Sequence, residues 1–349
     1  MGSLMRRTRK SGNQNNMQLQ APPFDADVYR CCDWLELKVL SLADGQTFFA
    51  DIERAWEARR EAEHDDFEGG DLQFDQWLEE LCDEVDFRIR SLGRAYPFRF
   101  NDDESGICLS STPDQFSIGC SVYVYCLMLS TIGETQVFEG DAGEITQRMR
   151  DLFQACSAWA AGGVLSGSAY AFGWPRPERD DFLTALRAVY HDRMGEGRVV
   201  DRAPPGASLQ EKDGGIDVIA WASRPDGGPG QPYIIGQVAT GANWQEKSVK
   251  QYIDPLNDNW FTQKPRSVPQ AAMFIPFCIV PRTRGVSLRE QLEFYTPLFG
   301  NIYYRAVLPL YAERGLQNAA ANDAVFMHRS GDLPEVRAQV QNFIAQLVQ

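Results

Sequence analysis

The sequence predicts an α/β protein in which a mixed sheet flanked by helices follows a mainly α-helical N-terminal region. Three observations favour this. Apolar residues recur at three- and four-residue steps through the first half, two short apolar runs enclose a Gly- and Pro-rich segment at 223–232, and 44% of the residues are hydrophobic. A chain of 349 residues is expected to hold two domains, here 21–175 and 176–349, after a polar tail at 1–20 that we expect to be disordered.

Helical periodicity accounts for most of the first half. Four stretches carry apolar residues at helical steps and are predicted to be helices, namely 25–42, 68–92, 118–132 and 143–163. The charged segment 61–71 is predicted to be an exposed turn between helices. The run at 118–132 is the longest apolar run, but it is shorter than the roughly 20 residues of a bilayer span, so it is interpreted as a buried helix.

Two adjacent strands are predicted in the second half. In IDVIAWA (216–222) every residue but Asp217 is apolar, as in a strand covered on both faces. The turn residues of 223–232 then return the chain as the antiparallel strand YIIGQVA (233–239). Because side chains alternate along a strand, Gln237 can face the same site as Asp217. A carboxylate and an amide oxygen at a sheet edge suit a hard cation such as Mg²⁺ or Mn²⁺.

This stretch resembles the PD-(D/E)xK, or restriction-endonuclease-like, superfamily of nucleases, and within it the Mrr-like group, whose sites read DGGID, a spacer and QxK. DGGID stands complete at 213–217, and the second half reads QVA at 237–239, so Ala239 occupies the position of the family's lysine. The resemblance covers about 180–285. It implies Mg²⁺-dependent hydrolysis of DNA phosphodiester bonds, often in restriction or anti-phage defence.

The resemblance also implies a lysine beside the attacked phosphate, where an ammonium stabilises the developing negative charge. In some members of the superfamily the following helix supplies it. The segment QEKSVKQYID (245–254) is predicted to be that helix, with Lys247 and Lys250 on one face. We favour Lys247 as the catalytic lysine. In the alternative, both lysines are solvated or contact DNA phosphate.

An acidic residue on the helix before the first strand is a further implication of the resemblance. The segment 180–197 is predicted to be that helix, and its start reads Phe182-Leu183 where relatives often show FE. The acid that completes the metal shell is therefore expected at Glu196 or Asp181. Either residue could instead be a solvated charge at a helix end.

Charge is distributed unevenly. Nearly all of the net charge of −14 lies in residues 1–150, and the rest of the chain is almost neutral. The second half holds a locally basic stretch that predicts contact with a nucleic-acid backbone through Lys264, Arg266, Arg282 and Arg284. The acidic half could bind a basic protein partner or guard the DNA face, or it could simply present solvated helices.

Cysteine and histidine usage argues against a zinc site. The eight cysteines form no CxxC pair, and the chain has three histidines, so reduced thiols in a cytoplasmic protein are expected. No membrane span is expected. The segment 271–280 is predicted to be a third core strand with Pro276 at a bulge or edge, and 332–348 a closing helix.

The sequence therefore predicts a Mg²⁺-dependent endonuclease acting on DNA, with Asp217 and Gln237 as metal ligands. One alternative is a catalytically degenerate nuclease fold, disabled at Ala239, that binds nucleic acid or a partner subunit. Another is an RNA-cleaving toxin on the same scaffold. The oligomeric state stays open.

Overall fold

The computed structural model describes residues 17–23, 26–63, 71–133, 137–139, 142–178, 180–207, 212–283 and 285–347. These ranges contain ten α-helices: α1 (Val28–Ser41), α2 (Ala50–Glu63), α3 (Asp71–Leu92), α4 (Ile118–Gly133), α5 (Gln147–Leu165), α6 (Phe182–Tyr190), α7 (Lys250–Trp260), α8 (Leu288–Phe299), α9 (Leu308–Ala321) and α10 (Leu333–Leu347). The helices predicted in the first half correspond to α1, α3, α4 and α5 and are confirmed. Residues 1–16 of the predicted tail and 64–70 of the predicted turn lie outside the described residues.

Ten short strands form three sheets in the same ranges. They are β1 (Gln46–Phe48), β2 (Phe98–Phe100), β3 (Gly106–Leu109), β4 (Ser168–Ala171), β5 (Arg198–Val199), β6 (Val218–Trp221), β7 (Tyr233–Val238), β8 (Phe261–Gln263), β9 (Gln270–Phe274) and β10 (Asn301–Tyr303). The main sheet has the order β10-β9-β7-β6-β4, and smaller sheets form from β1-β3-β2 and β5-β8. The first half is therefore helical apart from one small sheet that the sequence did not predict.

The main sheet is mixed, which confirms the predicted α/β class. β4, β6 and β7 are antiparallel neighbours, whereas β7, β9 and β10 run parallel. The predicted hairpin around 223–232 is confirmed, because Trp221 pairs with Tyr233 and Val218 with Gly236. Pro276 follows the end of β9, so it marks neither a bulge nor an edge within that strand.

Helices cover both faces of the main sheet. On one face α5 packs against β4, β6 and the helix α9. The crossing of α5 and α9 is close, since a Cβ added at Gly163 would lie 1.9 Å from the backbone oxygen of Tyr311. On the other face, Leu186 of α6 and Leu256 of α7 join the apolar cluster that contains Ile219 and Ile235. The main sheet is therefore buried on both sides.

One apolar cluster contains residues on both sides of the domain boundary expected at 175/176. It joins Leu35 and Val85, from α1 and α3, to Val218 and Phe274 of the main sheet. α4 lies in the same cluster and is buried along most of its length, as predicted for the 118–132 run. No helix in the described ranges is long and apolar enough to span a membrane.

A buried ionic network also joins the two halves. The Arg88 guanidinium, fully buried on α3, donates to Asp33 Oδ1 and Glu36 Oε1 at 2.8 Å and to Glu84 Oε1 at 2.6 Å. Asp33 also accepts from Arg305, which follows β10. Burial acts to raise the pKa of Asp33, but the two guanidinium groups hold it below its usual value. Asp33 is therefore the shared anion between the helical half and the main sheet.

Candidate active site

Asp217 lies immediately before β6, and backbone hydrogen bonds hold it on several sides. Its N–H donates to the Gly236 carbonyl at 2.9 Å, and its own carbonyl accepts from Gly173 N–H at 3.0 Å. The Gln154 amide on α5 donates to the same carbonyl at 3.0 Å. The carboxylate Oδ2 accepts from the Val238 N–H at 2.8 Å. The backbone of Asp217 is thus fixed between β7 and α5, and its side chain is held by the end of β7.

The environment of Asp217 opposes its charge. Burial raises the pKa of this carboxyl from 3.8 to about 7, and the negative charge of Asp213 acts in the same direction. The Val238 N–H and the positive charge of Lys247 act to lower the pKa. Near neutral pH both protonation states are therefore accessible, which is typical of carboxylates that transfer a proton or bind a cation.

A cavity of about 290 Å³ opens onto this carboxylate. Its walls come from α5, from the end of β7 and from the segment that follows β7. The lining residues are Gln147, Arg150, Asp151, Gln154, Trp174, Asp217, Val238, Thr240, Gly241, Asn243 and Lys247. Side chains of both charge signs therefore line one polar cavity at the end of the sheet where β7 ends and β6 begins.

Lys247 lines the cavity, but it does not lie on a helix. A 3-10 turn, Ala242–Glu246, precedes it, and its backbone is extended with φ −115° and ψ 137°. The helix predicted at 245–254 begins at Lys250, so that prediction is corrected at its start. The extended backbone after the turn places Lys247 on the cavity wall, close enough for its charge to lower the pKa of Asp217.

Lys250 lies elsewhere. Its ammonium Nζ donates to the Pro297 carbonyl at 2.6 Å, which holds the side chain against α8. It is not among the residues that line the cavity. Of the two lysines that the sequence offered, only Lys247 is brought into the cavity with Asp217.

Gln237 does not line this cavity. It belongs to the face of β7 that carries Ile235, whereas Val238 faces α5 and contributes to the cavity wall. The Gln237 side chain is 9% exposed, and its Oε1 has no hydrogen-bond partner in the described part of the protein. Alternation of side chains along the strands would place Asp217 and Gln237 on the same face. Asp217 departs from this pattern because it precedes β6, and its carboxylate reaches the α5 side of the sheet.

Ala239 packs into an apolar cluster away from the cavity. It is 2% exposed and lies among Trp244, Met273 and Tyr295. The next residue, Thr240, lines the cavity. A lysine at position 239 of this chain would therefore be buried among apolar side chains.

Glu196 stabilises a loop at the other end of the sheet. Its Oε1 accepts from Ser267 N–H at 2.7 Å, and its Oε2 accepts from Gly230 N–H at 3.3 Å. Both partners precede the starts of β9 and β7, whereas Asp217 contacts the end of β7. The six residues of β7 separate these ends by roughly 20 Å. Glu196 is therefore too far from Asp217 to share a cation, which corrects its expected role.

Asp181 is the N-cap of α6. Its side chain accepts from Thr184 N–H at 2.8 Å, and this hydrogen bond holds the pKa of the carboxyl below its usual value. It does not line the cavity. α6 begins at Phe182 and ends at Tyr190, shorter than the helix predicted at 180–197.

Sequence reasoning missed the contribution of α5. Because β4 is a strand of the main sheet, the helix that directly precedes the first strand of that sheet is α5 and not α6. Asp151 and Gln154 are three residues apart on α5, and both line the cavity. The apolar pattern at 143–163 predicts a helix, but nothing local in the sequence indicates which face of this helix meets Asp217.

The predicted nucleic-acid contacts do not surround the cavity. Lys264 pairs with the carboxylate of Asp258, and Arg266 is exposed in the same loop before β9, next to the Glu196 contacts. Arg282 follows the opposite end of β9, and Arg284 lies outside the described residues. Lys264 and Arg266 therefore lie at the end of the sheet that is remote from Asp217.

Within the described ranges, no group of three or more His, Cys, Asp or Glu side chains is arranged to hold a metal ion. All eight cysteines are free thiols. The carboxylates that line the cavity are Asp151 and Asp217, accompanied by the amides of Gln147, Gln154 and Asn243. The donors available there are oxygens, the ligand type preferred by hard cations.

Comparison of the chain with protein-family models, with curated proteins and with solved structures gave no match. The class that the structure defines is a mixed α/β protein with a polar cavity at the ends of two interior strands of its five-stranded sheet. The functional assignment depends on the chemistry of that cavity.

Proposed function

We propose that this protein is a metal-dependent nuclease of restriction-endonuclease-like fold that hydrolyses DNA phosphodiester bonds. The observation that carries the proposal is the cavity shared by Asp217 and Lys247. A carboxylate for a cation and an ammonium for the phosphate are the two groups that such hydrolysis requires. The DGGID motif that ends at Asp217 supports the same conclusion through its resemblance to the PD-(D/E)xK nucleases.

The donors in the cavity fit Mg²⁺ better than a transition metal. Mg²⁺ is usually held by one or two carboxylates and completes its shell with water and substrate phosphate. Asp217 and Asp151 supply two carboxylates, and the Gln154 amide oxygen is a further candidate donor. When bound, Mg²⁺ would supply Lewis-acid polarisation of the phosphodiester.

The protein side chains have separate tasks in this proposal. The Val238 N–H fixes Oδ2 of Asp217, which leaves Oδ1 for a cation. Gln154 orients Asp217 through its hydrogen bond to the Asp217 carbonyl. The Lys247 ammonium forms no ion pair among the described residues, so it is available to stabilise the charge that develops on the phosphate oxygens.

The degenerate-nuclease alternative also rests on a specific observation. Gln154, the α5 residue that is bonded to the Asp217 carbonyl, is neutral, and Ala239 is turned into an apolar cluster. If Asp151 and Lys247 do not compensate for these two changes, the cavity would bind nucleic acid without cleaving it.

The test is a cleavage assay on plasmid, single-stranded DNA and RNA in Mg²⁺, Mn²⁺ or EDTA. The proposal expects DNA products with either metal, none in EDTA and none from the Asp217→Asn variant. Intact DNA in every condition, together with retained DNA binding, would establish the degenerate alternative. Cleavage of RNA alone would move the assignment to a ribonuclease.

A further inference from the structure

We propose that Trp174 is a stacking platform for an unpaired nucleobase at the mouth of the Asp217 cavity. The ligand of the cavity would then be a single-stranded or locally unpaired nucleic acid. This inference rests on the proposed function and specifies its substrate. It concerns binding, however, and can be tested in the absence of cleavage.

The first argument is the exposure of Trp174. It is 39% exposed and lines the same cavity as Asp217 and Lys247. Among the described residues it is the most exposed tryptophan, and most of the others are buried in the apolar clusters. A large, partly exposed aromatic side chain that lines a polar cavity is a typical contact surface for a ligand.

The second argument is the rigid support of the ring. The Trp174 N–H donates to Asp213 Oδ2 at 3.2 Å, which ties its backbone to the DGGID motif. The Arg176 guanidinium lies 5.4 Å from the centre of the indole ring and is itself buried. Three backbone carbonyls accept hydrogen bonds from Arg176, those of Phe172, Asp180 and Lys212. Because the ring is positioned in advance, binding a planar ligand costs little ordering entropy.

The third argument is the charge around the ring. Arg150 and Lys247 line the cavity with Trp174, and neither forms an ion pair within the described ranges. Cations that meet phosphates beside an aromatic ring that meets a base are the combination by which proteins bind single strands. In a closed duplex the faces of the bases are stacked on one another, so an intact duplex offers Trp174 no base.

The experiment measures the affinity of the full chain for labelled oligothymidylate in EDTA, by fluorescence anisotropy. Trp174→Leu should raise the dissociation constant about tenfold or more, because base–aromatic stacking is lost. Trp174→Phe should retain most of the affinity. Phe294→Leu, at a 60% exposed aromatic on α8, is the matched control and should change the constant less than about twofold.

An abasic strand of the same length separates stacking from a general loss of binding. On that strand, wild type and Trp174→Leu should bind equally, and on a blunt duplex they should also differ little. Equal weakening on normal and abasic strands, an unchanged affinity of Trp174→Leu, or no binding by wild type would each overturn the inference. Trp174-dependent binding without metal-dependent cleavage would refute the proposed nuclease and leave this inference standing.

Discussion

The backbone N–H of Val238 donates a 2.8 Å hydrogen bond to Oδ2 of Asp217, from the end of β7 to the residue before β6. This contact stabilises the charged carboxylate, which burial destabilises. It also fixes one carboxylate oxygen, so that the other can meet a ligand in the cavity. The pair therefore defines the geometry of the proposed active site.

Lys247→Ala should lower kcat of DNA cleavage about 10²- to 10³-fold, because the ammonium that stabilises the phosphate charge is removed. The matched control is Lys250→Ala, whose ammonium is bonded to the Pro297 carbonyl away from the cavity. Single-turnover cleavage rates compare the two variants. Equal losses in both, or a loss in Lys250→Ala alone, would contradict the assignment of Lys247.

A lysine placed at position 239, where the PD-(D/E)xK nucleases that the sequence resembles carry one, should not increase activity. Ala239→Lys would bury an unpaired ammonium near Trp244, and we expect it to destabilise the protein by about 3 kcal/mol or more. Thr240→Lys places the same charge on the cavity wall and should cost less than about 1 kcal/mol. Urea denaturation measures both changes. A stable Ala239→Lys variant with faster cleavage would show that position 239 does reach the site.

Stability should depend on pH through Asp217. Burial raises the pKa of the folded carboxyl from 3.8 to about 7, so between these values the folded protein binds a proton that the unfolded chain has released. The contribution of this group to the stability of the metal-free protein therefore falls as pH rises through that window. Asp217→Asn removes the effect, so the variant's melting temperature relative to wild type should increase from about pH 4 to about pH 8.

Asp226→Asn is the control for this titration. The hydrogen bond from Arg224 lowers the pKa of Asp226 to about 2, so its linkage operates at more acid pH. The melting temperature of Asp226→Asn relative to wild type should stay constant over the same range. A constant difference for Asp217→Asn as well would show that its carboxyl is not raised.

Local signals predicted the strand pair but not the composition of the site. Asp217 was recognisable as the one polar residue in an apolar run, and the turn residues between 221 and 233 fixed the hairpin. The sequence places Gln237 in the site because alternation is extended back past the start of β6, where Asp217 no longer follows it. The two-residue alternation of apolar side chains and the turn residues act over a few positions. They therefore predict a strand, but not the direction of a side chain that lies outside the strand.

The positions of Glu196 and Gln154 depend on contacts far apart in sequence. Glu196 is held by Ser267, 71 residues further on, and the Gln154 amide reaches the Asp217 carbonyl across 63 residues. The order of strands in the sheet, with β4 before β6, decides which helix precedes the site. The periodicity of apolar residues in a single sequence does not indicate the order of strands in a sheet. The sequence therefore places Glu196 and Asp181 near Asp217, whereas neither residue lines its cavity.

The buried network around Asp33 should contribute strongly to stability. Arg305→Met leaves Asp33 with one guanidinium partner fewer in a buried setting, and we expect a loss of about 3–5 kcal/mol in the free energy of unfolding. Arg224→Met breaks an exposed arginine–aspartate pair and should cost less than about 1 kcal/mol. Urea denaturation midpoints compare the two. Similar small losses would show that the network is not needed for the two halves to stay together.

The most direct test of the nuclease assignment is the single-turnover rate of DNA cleavage in Mg²⁺ for wild type, Asp217→Asn and Asp226→Asn. Asp217→Asn preserves the size of the side chain but removes the charge that would hold the cation, so its rate should fall at least about 10³-fold. Asp226→Asn changes an exposed aspartate away from the cavity and should cleave at the wild-type rate. Cleavage by a folded Asp217→Asn protein at the wild-type rate would contradict the account.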